Sequence, residues 1–285
     1  MLTVLVDGVA YGMLLFVLAV GLSVTLGLMN FVNLAHGAFA MVGGYVTVLL
    51  LNRAGVPFLL CLPAAFLASA LLGAVLERTL YVHLYDRGHL DQVLFSIGLV
   101  FVAMAVADYF MGAQQQIIQL PAWLRERLTF GGVQISVYRL LVILLCAALA
   151  AGLQLTLTRS RFGARLRAAV DDPVVARGLG IRVGRIFSVT FAVGSGLAGL
   201  GGALGIDMLG LDPGFAVRFM IYFLVVVAVG GTESITGPFL ASLLLGIADV
   251  AGKYWFPETG AFIIYAVMVA VLLVRPQGLF GRAGR

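Results

Sequence analysis

The 285 residues are 62% hydrophobic and only 11% charged, with 18 Lys and Arg against 13 Asp and Glu. Soluble domains are typically about half apolar, so this composition excludes one and points to an integral membrane protein, a single domain over residues 1–285. The apolar runs are continuous, whereas a transmembrane β-barrel needs short alternating segments. The formal net charge of +5 implies no nucleic-acid partner, because most arginines sit in loops beside apolar runs.

Several runs are long enough to cross roughly 30 Å of hydrocarbon, and candidate spans are predicted at about 8–28, 36–52, 58–77, 92–111, 138–157, 186–206, 217–230, 238–251 and 260–275. The first lacks a basic flank before its apolar stretch and reads as a retained span rather than a cleaved signal peptide. The stretch Gly27 to Gly37 then interrupts the pattern with Asn30, Asn33 and His36. It is either a cytoplasmic turn or a broken helix at membrane depth, where irregular backbone must be buried in protein or line a cavity. The expected fold is therefore an all-α polytopic bundle of eight or nine transmembrane helices. Asn30, Asn33, His36 and Ser195 are the candidate lining of a translocation pathway.

Cys61 and Cys146 fall inside apolar runs and read as small core residues, with no disulfide or metal spacing. The loop with Arg78 and Arg87 is expected on the cytoplasmic side by its basic charge. Residues 112–137, with Gln114, Trp123 and Arg125-Glu126-Arg127, then form the largest external segment, compatible with a surface facing an external partner but read first as a plain interfacial loop. Arg159 to Arg185 is a basic island, cytoplasmic by the same rule. Within it, Asp172-Pro173 reads as an N-cap followed by proline at the first helical position, and Gly178 and Gly180 read as helix stops. A two-turn helix from Pro173 to Leu179 carries Val174, Val175 and Leu179 on one side. Such an element is either an ordinary cytosolic loop or a docking contact.

Gly194 to Gly205 is the densest glycine patch, and small residues at this spacing let helices approach closely in lipid. It contains a literal G-x-G-x-x-G, but no strand–helix alternation surrounds it, so a dinucleotide site is excluded. There is no Walker A sequence, no H-E-x-x-H and no G-x-S-x-G, which leaves an enzyme without support and no cofactor or metal expected. Asp108, Asp207, Asp212, Glu233 and Asp249 all sit toward the ends of runs, where snorkelling or capping explains them. A proton-coupled carrier needs acids deeper than this, so the energy for any transport is expected from elsewhere.

Four stretches, in one order along nearly the whole chain, carry a resemblance. They are Gly27 to Tyr45, Arg167 to Ile181, Val229 to Pro238 and Arg275 to Gly281. With them the chain resembles the inner-membrane permeases of bacterial binding-protein-dependent ABC importers for branched-chain amino acids, of LivH type. The resemblance implies a second permease subunit of LivM type, two cytoplasmic ABC ATPase subunits, a periplasmic substrate-binding protein and a lipid-embedded location in the inner membrane. It also implies a cytoplasmic coupling helix that seats on the ATPase. Carried over, this falls on Asp172 to Gly180, with Arg167, Asp171, Asp172, Pro173, Val175, Ala176, Gly178, Gly180 and Ile181 as coupling residues. A charge at Val175 or Ala176 is expected to uncouple ATP hydrolysis from uptake. One departure is Gly230-Gly231-Thr232-Glu233-Ser234, where the family commonly has Gly-Gly-x-Gly-Ser. Relatives for urea, short-chain amides, aromatic or carboxylic acids keep the substrate open, and a stand-alone carrier or channel is the rival class.

Overall fold

The computed structural model describes residues 1–29, 31–85, 87–130, 133–231 and 234–280. In chain order these form α1 (Leu2–Met29), α2 (His36–Asn52), α3 (Phe58–Thr79), a 3-10 turn (Tyr81–Leu84) and α4 (His89–Met111). Next come α5 (Ala122–Arg125), β1 (Arg127–Phe130), β2 (Val133–Ser136), α6 (Val137–Arg159), α7 (Arg161–Asp171) and α8 (Pro173–Gly178). The chain closes with α9 (Val183–Leu209), α10 (Phe215–Gly230), α11 (Thr236–Trp255) and α12 (Gly260–Val274). Each apolar run is a helix. Among the described residues, α1, α3, α4, α6 and α9 are long and apolar enough to cross a membrane, and α2, α10 and α12 are shorter apolar helices.

Helices α1 and α9 form the centre. Their most apolar windows are 89% and 83% buried, against 17% for α4 and α6, which turn most of their apolar surface outward. In lipid that outward surface is solvated by hydrocarbon, so the inner contacts must come from close packing. The glycine patch supplies them. Helix α9 packs against α1, α2 and α3, and a Cβ at Gly202 would overlap the Ala40 carbonyl while one at Gly199 would overlap Ser69. The buried Tyr138 hydroxyl donates to the Leu204 carbonyl at 2.6 Å and ties α6 to the same helix.

Two expectations change. Residues 112–137 are not a plain loop: they hold α5 and an antiparallel hairpin in which Leu128 pairs with Ile135. Asp249 is not a snorkelling residue at a helix end but is 1% exposed, inside the bundle. Cys61 and Cys146 are buried free thiols, as expected.

Candidate functional site, a coupling face and a buried polar break

The basic island folds as a helical corner. Ser160 ends α6 and caps α7, its hydroxyl accepting from the Gly163 amide at 3.1 Å. Gly163 is required there, since a Cβ would strike the Leu157 carbonyl, and the Arg167 guanidinium donates to that same carbonyl. One residue beyond α7, the Asp172 carboxylate accepts from the amides of Val174 and Val175, each at 2.9 Å. Pro173 follows at the first helical position, where its missing N–H costs nothing. The helix stops at Gly178, and Gly180 takes φ +79°, the left-handed conformation that favours glycine.

This corner has a small core of its own. Ala169 of α7, Ala176 of α8 and Val183 of α9 are buried together, with Ile181 and Phe187 packed beside them. Val174, Val175 and Leu179, in contrast, are 73%, 57% and 75% exposed. The outward apolar face is therefore made by these three, and Ala176 belongs to the inside. Asp171 and Asp172 are exposed at its entrance. A groove of about 730 Å³ runs beside α8, between Pro173 and Arg177 on one wall and Glu77, Arg78 and Tyr85 on the other. At its base Glu77 is buried and accepts from the Tyr85 hydroxyl at 2.8 Å and from the Ser188 hydroxyl. Burial, then the Glu77 carboxylate, push the Tyr85 hydroxyl up, so it stays a donor.

The interruption between α1 and α2 is buried in protein. Its backbone amides are met by side chains: Val32 N–H donates to Gln92 Oε1 at 3.1 Å and Leu34 N–H to Ser96 Oγ at 3.2 Å. Asn33 Oδ1 accepts from the Ala35 amide at 3.1 Å and from the Tyr81 hydroxyl at 3.0 Å. His36, buried, begins α2 beside Gly21 and edge-on to Phe223. Ser195 is buried in α9, its hydroxyl returned to the Phe191 carbonyl at 2.9 Å. Asn33, His36 and Ser195 thus share the bundle interior as packed residues, while Asn30 lies outside the described residues. Gln92, Ser96 and Tyr81 were missed from the sequence. The available signal was that Gln92 and Ser96 are polar, four apart, and on one face of an apolar run.

At the far end of the chain two of the resemblance stretches meet. The Leu279 amide donates to the Val229 carbonyl at 2.7 Å, and Gly278, at φ +80°, lies against Gly231. Thr232, Glu233 and Gly281 lie outside the described residues. Among the described residues no cluster of His, Cys, Asp or Glu is placed to hold a metal ion.

The family described as "Branched-chain amino acid transport system / permease component" matches residues 4–272. The chain belongs to this family. Its BraD and LivH relatives match over nearly their full length. The high-affinity branched-chain amino acid transport system permease protein BraD of Pseudomonas aeruginosa is 29% identical, over 98% of this chain and 95% of its own length. The probable branched-chain amino acid transport permease protein LivH of Methanocaldococcus jannaschii is 27% identical, over 98% and 92%. A LivM permease protein of Salmonella typhimurium is 28% identical over 96% of this chain and 69% of its own length. No solved structure matches. The permease is accordingly a multi-pass membrane transport subunit of LivH type, and its α7–α8 corner offers an exposed apolar face next to concentrated positive charge.

Proposed function

We propose that this chain is one permease subunit of an ATP-driven, binding-protein-dependent importer for branched-chain or related amino acids in the bacterial inner membrane. Its partners are a LivM-type permease, a pair of cytoplasmic ATPases and a periplasmic binding protein. The likeness to both LivH and LivM proteins supports a permease pair. The observation that carries the coupling role is α8, a capped helix whose Val174, Val175 and Leu179 face outward while Ala176 anchors it to α7 and α9. A push on α8 is delivered through that small core into α9, which packs against α1, α2 and α3.

In this reading residues 1–285 are one transmembrane domain with eight or nine crossings and the basic island cytoplasmic. The ion pair between Asp7 of α1 and Arg139 of α6 favours nine, with the amino terminus outside. The break at residues 31–35 lies beside the start of α4 and the turn at Tyr81, on the side of the Arg78–Arg87 loop, with the Val32 and Leu34 amides satisfied by α4 and the Ala35 amide by Asn33. Asn33, His36 and Ser195 form the packed wall beside the pathway.

The test is reconstitution of the four-subunit core in liposomes with the binding protein. Leucine uptake should require ATP and the ATPase pair. Uptake by this chain alone, driven by an ion gradient, would mean a carrier and end the importer reading.

A further inference from the structure

A second feature lies at the opposite end of the bundle from α8, where α6 starts and α9 ends. A cavity of about 490 Å³ opens there, within the roughly 300–1,000 Å³ range of small-molecule sites. Its charged lining is balanced: Asp7, Asp207 and Asp249 against Arg139, Arg218 and Lys253. The remaining wall mixes the hydroxyl-bearing Tyr11, Ser136, Tyr138 and Tyr222 with the apolar Met208, Leu209, Phe219 and Val250. Asp249 stands out among the acids. It is 1% exposed, its Oδ2 accepts from Lys253 Nζ at 2.6 Å, and its Oδ1 has no hydrogen-bond partner. A buried carboxylate oxygen without a donor costs free energy that a ligand's donor would recover, and ionisable groups inside membrane helices commonly mark substrate routes. Arg218 and Lys253 are about half exposed, at 50% and 49%, and each spends one contact on an acid, Asp212 and Asp249 respectively. A guanidinium has five N–H donors and an ammonium three, so both retain donors for an incoming anion.

Resting on the importer reading above, we infer that this cavity is a binding site for a zwitterionic α-amino acid with an apolar side chain. Asp249 Oδ1 takes the ammonium, Arg218 and Lys253 take the carboxylate, and the Tyr11–Phe219–Tyr222 wall takes the side chain. Equal numbers of both charges disfavour a dicarboxylate or a polyamine, and a neutral amide leaves both signs unused.

The test uses the full chain assembled with its permease partner and a reporter thiol at the cavity, Met208→Cys, the native cysteines being buried. L-Leucine should slow modification of this thiol by a charged methanethiosulfonate reagent. 4-Methylpentanoate (no ammonium), 3-methylbutylamine (no carboxylate), urea and glycerophosphoethanolamine should not. Adding Asp249→Asn should raise the half-protecting leucine concentration by roughly tenfold to a hundredfold, as for loss of one charged hydrogen bond. Arg218→Gln, at a half-exposed position, should do the same and serves if the Asp249 variant fails to assemble. Protection by urea or by a single-charge analogue equal to that by leucine would overturn the assignment. So would stronger protection by glycerophosphoethanolamine, which would make the site a lipid-headgroup site, or an unchanged leucine requirement in the variants. ATP-driven uptake by the complete importer is measured in parallel. Uptake without protection sinks the site alone, and protection without uptake sinks the importer reading while supporting the site.

Discussion

Val175 and Ala176 are neighbours in sequence and opposites in environment, one 57% exposed and the other fully buried. Val175→Asp should leave the protein in the membrane at normal abundance and abolish the link between ATP hydrolysis and uptake, read as ATPase activity without transport in proteoliposomes. Ala176→Asp puts a charge into the Ala169–Val183 core without a partner and should instead reduce the amount of assembled protein. Normal abundance with normal transport in Val175→Asp would remove α8 as the coupling contact. Asn33 makes a comparable point inside the bundle. Asn33→Ala strands the Ala35 amide and the Tyr81 hydroxyl, at about 1–3 kcal/mol for each unsatisfied group. A lowered melting temperature of the purified protein is the expected result. The sequence marked Asn33 as special because asparagine is rare in an apolar run. Its partner Tyr81 is 48 residues away, and nothing in local spacing announces such a pair.

At the scale of elements, two helices carry the argument. Helix α8 was readable as an element because its determinants are local: an Asp cap, a proline after it and a left-handed glycine two residues past its end. Asp172→Ala should cost about 0.5–2 kcal/mol of local stability, seen as faster amide exchange over Pro173–Gly178 than in Asp172→Ser, which keeps a capping oxygen. Helix α9 was readable as a packing helix, but not its partners. Gly202→Val drives a branched side chain into the α2 backbone at Ala40 and should cost about 1–3 kcal/mol or more. Gly184→Val, at a position with open space around it, should leave melting temperature nearly unchanged. Equal stability of both variants would mean that α2 and α9 are not in the contact described. The hairpin β1–β2 went unread because four-residue strands give a periodicity too short to separate from loop.

For the whole molecule, orientation is the property on which both proposed sites depend. With thiols introduced one at a time, Trp123→Cys in α5 should react with a membrane-impermeant reagent on intact cells, and Leu179→Cys beyond α8 only after the membrane is opened. The reverse pattern would invert the molecule and place α8 away from any cytosolic ATPase. The membrane class, the all-α fold, the basic corner and its capped helix were all legible in the sequence alone, because hydropathy, capping and glycine conformation act within a few residues. The family could be recognised from four short stretches for the same reason. What only the tertiary structure decided is which polar residues do what. It buried the break between α1 and α2 under Gln92 and Ser96, turned Ala176 inward and Val175 outward, and gathered Asp249, Lys253 and Arg218 around one cavity. In a chain this apolar, a polar side chain's role is set by the partner that satisfies it, and those partners arrive from other helices through packing that no local pattern encodes.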